Sequence, residues 1–533
     1  MTTKILNRMV MMVLLSVATM NAAAQMRLNF GDDSPLRKMA IAQMAISNLY
    51  VDSVDEKKLA EDAIRGMLEK LDPHSSYSTP KEVKAFNEPL QGNFEGVGVQ
   101  FNMLEDTLFV SQTITNGPSE KVGIIAGDRF VTVNDTTIAG VKMSNEDIMK
   151  RLRGPKGTKV KIGVKRQGIK ELVYFTVTRD KIPLNTVDAW YMIRPGIGYI
   201  RIGSFGLTTH DEFLEAVQKM QGKGMKDLII DLQENGGGYL QAAADVLNEL
   251  LEENDLLVYT SGRVMPRQEF RAKGNGHFKK GRIVVIVNEY SASAAEILSG
   301  AIQDQDRGVV VGRRTFGKGL VQRPVDLPDG SMIRLTVAHY YTPSGRCIQK
   351  PYEKGKKKDY DKDLLERYNH GEFTNADSIH MADSLKYETL KLHRTVYGGG
   401  GVMPDFFVPL DTMRYTKYHR ELSAKSIIIN ANLHYTEKYR KELLKRYGKD
   451  AEKGFEAYAK DFIVPQSLMD EIYEEGKKQK IEPKDDEEKA RTDEELSMQL
   501  KALIARNLWS MTEYFRIVNE KSDMVKCALK QLE

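Results

Sequence analysis

The chain has 533 residues, enough for three or more domains, and its 41% hydrophobic and 29% charged residues are typical of soluble globular proteins. The net charge of +4 is spread over 78 basic and 74 acidic residues, so the charge balance predicts no nucleic-acid partner. With only two cysteines, Cys347 and Cys527, the composition excludes a fold held by a disulfide framework.

The first 25 residues have the pattern of a secretory signal peptide. Lys4 and Arg8 precede the apolar run MVMMVLLSVATM, and small residues follow at Ala22 and Ala24. A membrane span needs about 20 apolar residues, and no segment of the chain reaches that length. We therefore expect a signal peptide over 1–24, cleaved near Ala24, and an exported, periplasmic protein without a stable membrane span.

Helical spacing of apolar residues marks 25–85 as an N-terminal helical region. The residues that recur on the predicted helix faces are Leu36, Met39, Ile46, Leu49, Leu59, Ala63, Met67 and Leu71. This pattern predicts two or three helices that end before the L-D-P-H-S-S loop at 71–76.

Strand-like runs separated by Gly, Asn and Asp turns replace the helical pattern over 86–180. Examples are GVGVQF, TLFVSQTI, DRFVTVN and ELVYFTVTR, and one helix is predicted at about Ser144–Leu152. Gly96 and Gly98 give F-E-G-V-G-V-Q-F the Gly-rich shape of a loop that binds a terminal carboxylate. Ordinary turn glycines are the alternative.

Strands and helices alternate from about 195 to 345. The apolar runs GIGYIRI, DLIIDL and RIVVIVN predict strands, and HDEFLEAVQKMQ, LQAAADVLNELLEE and SAAEILSGAIQDQ predict helices between them. Apolar strands between helices indicate a sheet covered on both faces. In such folds the functional residues lie in turns beyond the strand ends.

Two of these turns carry candidate chemistry. In N-E-Y-S-A-S-A-A-E, Ser293 lies near a helix start, where its hydroxyl can be exposed beside partly positive N–H groups. Serine is also a favoured helix cap, so Ser291, Ser293 and Ser299 each have a purely structural interpretation. In E-N-G-G-G-Y, three glycines leave backbone N–H groups unobstructed. That suits an oxyanion hole and equally suits a plain tight turn.

The stretch VGRRTFGKGLVQ, 311–322, resembles a phosphate-binding P-loop but fails its requirements. The position after Lys318 needs Ser or Thr to ligate Mg²⁺, and here it is Gly319. The residues that follow predict a hairpin, whereas a P-loop opens a helix. A buried lysine can instead serve a serine nucleophile as its base, because burial disfavours the charged ammonium. The chain has no G-x-S-x-G elbow.

Together these stretches resemble the carboxyl-terminal processing peptidases, also called tail-specific proteases. The matching segments are VNEYSASAAEILSGAIQDQDRGVVVG, RTFGKGLVQ, DGSMIRLTVAHYYTPSGRCIQ and VMPDFFVP. The resemblance implies a serine endopeptidase with Ser293 as nucleophile, Lys318 as general base and Gln322 orienting the lysine. It places the oxyanion hole at the N–H groups of Ala294 and a glycine of 236–238, for which we take Gly237. It implies no cofactor and no metal.

The resemblance also identifies 86–180 as a PDZ domain, whose loop of Gly96, Val97, Gly98 and Val99 would bind the C-terminal tail of a protein or peptide substrate. The peptidase core is expected over 181–345 and 396–410. The expected fold is multidomain α/β (α+β): N-terminal helices, the PDZ domain, a core with a mixed sheet, and a C-terminal helical region over 411–533.

Two departures from the family pattern stand out. The family often has Asn-Pro-Gly-Gly where this chain has Asn235-Gly236-Gly237-Gly238, which leaves open which glycine donates to an oxyanion. The polar stretch 346–395 is predicted to be a surface insertion. In 411–533, Thr492 to Glu495 fits a capping box after a charged linker. Because the family contains dimers, a homodimer is expected.

The predicted function is that of an exported serine endopeptidase that recognises and cleaves near the C-terminus of protein substrates. The alternative is a non-catalytic PDZ scaffold that binds such tails. A scaffold needs none of Ser293, Lys318 and Gln322, so their joint presence favours the enzyme.

Overall fold

The computed structural model describes residues 34–533, and the predicted signal peptide 1–24 lies outside them. Residues up to Leu68 form one unit and Glu69–Glu533 a second. The first unit contains helices α1 (Pro35–Leu49) and α2 (Glu56–Leu68). Helix α1 buries none of its residues, and its Leu36, Met44 and Leu49 are exposed. Within 34–533, no helix combines the length and the apolar character needed to cross a membrane.

The second unit begins with a short strand and a helix, and a β-rich domain with the predicted strand pattern follows. In chain order the elements are β1 (Ser76–Ser78), α3 (Pro80–Leu90), β2 (Asn93–Gly96), β3 (Val99–Leu104), β4 (Thr107–Thr113), α4 (Pro118–Lys121), β5 (Arg129–Val133), β6 (Thr136–Thr137), α5 (Asn145–Leu152), β7 (Lys159–Lys165), β8 (Val173–Thr178) and β9 (Asp180–Pro183). Ser144 caps α5, since its hydroxyl accepts from the N–H of Asp147. The sheet order is β3–β4–β5–β7–β8, so β3 is an edge strand.

Alternating strands and helices follow, as the apolar periodicity predicts. They are β10 (Val187–Arg194), β11 (Ile197–Ile202), α6 (Thr209–Gly222), β12 (Asp227–Asp231), α7 (Leu240–Asn248), β13 (Leu256–Ser261), β14 (Gln268–Arg271), β15 (Ile283–Val287), α8 (Ala294–Asp304), β16 (Val309–Gly312), β17 (Leu320–Asp326) and β18 (Met332–Tyr341). Strands β17 and β18 form an antiparallel sheet with β1, β13 and β14. The hairpin predicted after Lys318 is therefore confirmed.

The central sheet is mixed, and its order is β10–β11–β12–β15–β16, completed by β21 (Phe406–Phe407). Only β10 runs antiparallel to its neighbour; the other pairs are parallel. Alternate residues face opposite sides, so Leu228 and Ile230 enter the main core while Ile229 enters a second core with Val525. The predicted multidomain α/β class with a sheet covered on both faces is confirmed.

The segment 346–395, predicted to be a surface insertion, is partly built into the peptidase core. Its regular elements are α9 (Lys357–Asn369), two 3-10 turns (Ala376–Ser378 and Asp383–Leu385) and β19 (Lys386–Glu388), which pairs with β20 (Thr395–Tyr397). The outer face of α9 is charged and exposed, but Tyr360 and Arg367 on its inner face are buried. The polar composition that predicted a surface location therefore describes only one face of this helix.

Seven helices end the chain, as the predicted C-terminal helical region requires. They are α10 (Lys417–Ala424), α11 (Ile427–Tyr447), α12 (Ala451–Asp461), α13 (Gln466–Lys478), α14 (Asp486–Leu508), α15 (Met511–Val518) and α16 (Asp523–Lys530). The capping box predicted at Thr492 is wrong, because α14 already begins after Asp485, whose carboxylate accepts from the N–H of Glu488. The charged stretch EEGKKQKIEPKDDEEKARTDEE, 474–495, was predicted to be a linker, but most of it lies in α13 and α14.

The C-terminal helices contact both the β-rich domain and the central sheet. Arg129 of β5 pairs with Glu437 of α11 through two hydrogen bonds of 3.2 and 2.8 Å. Leu104 and Phe109 pack with Leu433 in a small separate core. Near the end of the chain, α16 packs against one face of the central sheet.

Candidate active site

Three turns that follow neighbouring parallel strands meet at one edge of the central sheet. The turn 234–238 follows β12, the turn 288–293 follows β15, and the loop 313–319, called here the Lys318 loop, follows β16. Because β12, β15 and β16 are adjacent and parallel, their carboxyl ends bring these turns together.

A cavity of about 450 Å³ lies at this edge. Ser293, Lys318 and Gln322 line it, together with the glycines of 236–238. The rest of its wall comes from helix α3, from β17 and β18, and from the first turns of α7 and α8. Among the predicted site residues, Gly236 and Gln322 are 86 positions apart in the chain, and the structure brings them to one cavity.

Ser293 differs from the two serines near it. Its backbone has φ 56° and ψ −114°, a strained conformation for a residue with a side chain, at the start of α8. Ser291 is fully buried and donates to the carbonyl oxygen of Leu232 at 2.8 Å. Ser299 is also buried and donates to the carbonyl oxygen of Ala295. Of these three candidates, the cavity is lined by Ser293.

Lys318 is half-buried in the cavity wall, and a strand, β17, follows it at Leu320. A P-loop lysine opens a helix instead, so the nucleotide interpretation is excluded on geometry. Burial lowers the pKa of Lys318, and the nearby Arg334 guanidinium lowers it further, while Glu296 and Asp72 act in the opposite direction. The environment therefore favours a neutral amine more than water does.

Glu296, which the sequence interpretation missed, connects the Ser293 turn to the Lys318 loop. Its carboxylate is fully buried and accepts from the N–H groups of Ser293, Gly317 and Lys318 at 2.8, 2.7 and 2.8 Å, and from the Thr315 hydroxyl at 2.5 Å. Burial raises the pKa of Glu296 to about 7, against the lowering effect of these four donors. A protonated Glu296 carboxyl carries an O–H donor where the surrounding N–H and hydroxyl groups need an acceptor. The connection between the Ser293 turn and the Lys318 loop therefore weakens as the pH falls below about 7.

Tyr340 joins the same two segments from the other side. Its buried hydroxyl lies 3.0 Å from the carbonyl oxygen of Ser293 and is also within hydrogen-bonding distance of the carbonyl oxygen of Lys318. With Glu296 holding the N–H groups and Tyr340 the carbonyls, the Ser293 and Lys318 backbones are fixed relative to each other. The sequence indicated Tyr340 only as part of the hairpin predicted after Lys318.

Gln322 lies in the cavity wall, but its amide contacts a group other than the predicted one. Its Nε2 donates to the Thr336 hydroxyl at 3.3 Å, and that hydroxyl donates to Asp72 at 2.8 Å. Between residues 34 and 533 the structure has no hydrogen bond from Gln322 to the Lys318 amine, nor one from Ser293 Oγ to that amine. The orienting role of Gln322 therefore stays a prediction.

The glycine turn fits closely against Ser293. The N–H of Gly237 donates to Asn235 Oδ1 at 2.8 Å, so the donor assigned to the oxyanion hole is already engaged. Gly236 and Gly238 are exposed and line the cavity. The amide nitrogen of Ala294 lies 3.0 Å from the place where a Gly237 Cβ would be. The assignment of Gly237 as donor stays a prediction; a side-chain acceptor within the turn takes its N–H, and Gly236 and Gly238 are the other glycines that could donate.

We expect Gly237→Ala to lower both the melting temperature and any activity of the site. Gly237 has φ +101°, and the added Cβ would lie 2.7 Å from Ser293 Cβ and 2.8 Å from the carbonyl oxygen of Ala292. Strain and overpacking each cost about 1–3 kcal/mol. Gly236→Ala is the matched control for thermal stability, since its Cβ would meet nothing within 4 Å. A Gly237→Ala protein as stable as this control would contradict the expectation.

The candidate tail-binding loop lies about the start of the edge strand β3. Val97 is buried, and its carbonyl oxygen accepts from the N–H and hydroxyl of Ser119 at 3.0 and 2.7 Å. Gly98 has φ +74°, which favours glycine. Gly96 ends β2 and Val99 begins β3. An extended peptide could pair with the outer edge of β3.

Comparison with known sequences agrees with this architecture. Residues 196–361 match the model of peptidase family S41, and 96–183 match that of the PDZ domain. Residues 7–81 match the N-terminal domain of the activating protease CtpB, and 418–510 match a family of unknown function. The predicted PDZ domain over 86–180 and the PDZ match therefore overlap over most of their length.

Individual relatives cover much of the chain. A solved structure named photosystem II D1 C-terminal processing protease is 31% identical, covers 58% of this chain and 89% of its own, and has a TM-score of 0.33. Carboxy-terminal processing protease CtpB of Bacillus subtilis is 35% identical over 60% of this chain and 66% of its own length. CtpA of the same organism is 33% identical over 62% of this chain and 71% of its own length. The chain belongs to the carboxy-terminal processing proteases of peptidase family S41.

Proposed function

We propose that this peptidase is an exported serine endopeptidase that cleaves proteins near their C-termini, with Ser293 as nucleophile and Lys318 as general base. The observation that carries the proposal is the shared cavity: Ser293, Lys318, Gln322 and the glycine turn line it together. Acyl transfer needs a nucleophile, a base and N–H donors at one point, and this cavity offers all three.

The mechanism follows from the chemistry of these groups. Neutral Lys318 takes the proton of the Ser293 hydroxyl while Oγ attacks the peptide carbonyl carbon. The N–H groups of Ala294 and of one glycine of 236–238 donate to the oxyanion that forms. The protonated lysine then gives its proton to the departing amine, and a water molecule activated by Lys318 hydrolyses the acyl-enzyme. Gln322 would orient the lysine once substrate fills the cavity.

The strained conformation of Ser293 supports its role as nucleophile. A serine that only capped α8 would adopt the ordinary extended conformation, as Ser144 does at α5 with φ −65° and ψ 149°. Strain of this kind persists where the surrounding contacts determine the geometry, and it is frequent at active sites. Here the contacts from Glu296 and Tyr340 hold the Ser293 backbone.

The alternative function, a PDZ scaffold that binds tails without cutting, is tested by direct assay. Purified protein is incubated with an unstructured polypeptide that has an apolar tail, and the products are mapped by mass spectrometry. Internal cuts near the C-terminus support the proposal. An intact polypeptide that nevertheless binds the protein would support the scaffold.

Recognition of the free C-terminus predicts a difference between acid and amide substrates. If the loop of Gly96 to Val99 binds the terminal carboxylate, amidation removes the charge that its N–H groups bind, and turnover should fall about tenfold or more. Rates on a matched pair of peptides measure the effect. Replacing Gly98 by a bulky residue should remove the difference, because a Cβ there would lie 3.0 Å from both Ile182 and Pro118. Equal rates on the two peptides would mean that the loop reads another feature.

Location and assembly complete the proposal. The sequence of 1–24 supports export to the periplasm with cleavage near Ala24, which N-terminal sequencing of the secreted form would test. A homodimer is supported by the exposed apolar residues of α1, such as Leu36 and Met44, and light scattering would test it.

A further inference from the structure

The conformation of the Lys318 loop is imposed by groups outside it. The N–H groups of 315 and 316 donate to the carbonyl oxygens of Val402 and Ser291. Those of 317 and 318 both donate to the Glu296 carboxylate, and that of 319 donates to Gln349 Oε1. The carbonyls of 314 and 315 both accept from Arg367. That of 317 accepts from the N–H of Lys350, and that of 318 accepts from the Tyr340 hydroxyl. Whatever supplies these partners decides where the Lys318 amine points.

One face of α9 supplies the donors to two of these carbonyls. Arg367 donates to the carbonyl oxygens of Thr315 at 3.1 Å and Arg314 at 2.7 Å, and its Nε donates to Glu372 at 3.2 Å. Glu372 in turn accepts from Arg314 at 3.1 and 2.6 Å. The Arg367 side chain is only 4% exposed, so these contacts are made away from solvent. A planar guanidinium can bridge two carbonyls and a carboxylate in this way.

Two further residues on the same face of α9, Asp363 and Tyr360, contact the Lys318 loop through Lys350 and Gln349. Asp363 pairs at 2.9 Å with Lys350, whose ammonium lies 4.0 Å from the centre of the Phe316 ring in the loop. The Tyr360 hydroxyl accepts from Gln349 at 3.3 Å, and Gln349 holds the N–H of Gly319. Positions 360, 363 and 367 share one helical face, whereas Lys362 and Glu366 point to solvent.

The geometry points to α9 as a positioning element of the active site, with Arg367 as its main positioning residue. By fixing the carbonyls of Arg314 and Thr315, Arg367 holds the turn that carries Lys318. Its buried side chain also excludes water from the side of the Lys318 loop that faces α9. The polar segment 346–395 therefore contributes to the active site by positioning Lys318. This inference rests on the proposed role of Lys318 as base.

The test compares Arg367→Ala and Arg367→Lys with the full-length wild type. Because a misplaced catalytic group costs about 100-fold in rate, we expect Arg367→Ala to lower kcat by about that factor while KM changes little. Lysine keeps the charge but cannot bridge both carbonyls, so Arg367→Lys should fall between the two. Glu372 keeps Arg314 as its partner in both variants, which limits the damage to folding.

A pH profile separates positioning from general destabilisation. In Arg367→Ala, water that enters behind the loop should raise the pKa of Lys318 toward its ordinary value, so the acid limb of kcat moves to higher pH. The charged and titratable groups that face Lys318, namely Glu296, Asp72, Arg334 and His74, are the same in both proteins. Hydrogen exchange of the Gly317, Lys318 and Gly319 amides should also become faster.

Lys362→Ala, on the exposed face of α9, is the matched control and should leave all three measurements unchanged. The inference would be overturned if the Arg367→Ala variant had the same kcat, pH profile and amide protection as the wild type. If that variant does not fold, Arg367→Lys decides by the same three measurements. A wild type that cleaves nothing would refute the proposed function instead, and the amide exchange would still test whether α9 holds the loop.

Discussion

Ser293→Ala is expected to abolish proteolysis and leave the protein folded. Without Oγ no acyl-enzyme can form, and removing the nucleophile of a serine peptidase lowers kcat by about a thousandfold or more. The structural cost is small, because the backbone contacts of Ser293 to Glu296 and Tyr340 do not involve its side chain. Cleavage of the tail-bearing polypeptide, followed by mass spectrometry, measures activity, and a melting curve measures stability.

Ser299→Ala is the matched control for this variant. Ser299 is on the same helix, and its hydroxyl contacts only backbone carbonyls of that helix. We expect the Ser299→Ala protein to cleave at the wild-type rate. Proteolysis by Ser293→Ala at an undiminished rate would remove Ser293 from the mechanism, whatever the control does.

Lys318→Arg should be as inactive as Lys318→Ala. Arginine keeps a positive charge but cannot give up its proton at accessible pH, so it cannot act as a base. A phosphate-binding lysine would give the opposite result, since arginine would partly replace it and ATP with Mg²⁺ would raise the melting temperature. Proteolysis assays of both variants, beside a thermal-shift titration with ATP, distinguish the two roles. Proteolytic activity in the Lys318→Arg variant would contradict the Ser–Lys mechanism.

The pH dependence of the wild type follows from the same assignment. The base must be neutral, so activity rises with pH through the lowered pKa of Lys318. Glu296 acts in the same direction: below about pH 7 its carboxyl gains a proton and loses one of its acceptor positions for the Lys318 loop. A neutral Glu296 also no longer raises the pKa of Lys318, which partly offsets the lost contacts. We therefore expect an acid limb that spans the ionisation of both groups. Activity that falls as pH rises through neutrality would contradict both assignments.

The sequence predicted the elements of the central sheet well because their signal is local. Apolar runs such as DLIIDL and RIVVIVN are short and bounded by turns, and the structure has β12 and β15 at these places. The turns that carry Ser293 and Lys318 could be predicted for the same reason. The resemblance to a family, and not periodicity, assigned their roles.

The residues that position the site could not be predicted in this way. Glu296 reads as an ordinary helix residue, and only the folded chain brings it to Gly317 and Lys318, more than 20 positions away. Arg367 lies in a polar run typical of a surface, and its burial depends on Glu372 and on carbonyls about 52 positions earlier. The contact of the Gly237 N–H with the Asn235 side chain in its own turn was also not predicted.

The contacts of the C-terminal helices also bear on how the protein unfolds. Leu433 completes the burial of Leu104 and Phe109 on the β-rich domain, and Val525 completes the burial of Ile229 on the central sheet. Apolar surface shared in this way contributes about 25 cal/mol per Å² to whichever part would otherwise expose it. Neither the β-rich domain nor the sheet can open alone without losing some of that free energy. Residues 411–533 therefore couple the local stabilities of two domains that do not share a core. A substitution that destabilises this region is expected to lower the stability of both domains.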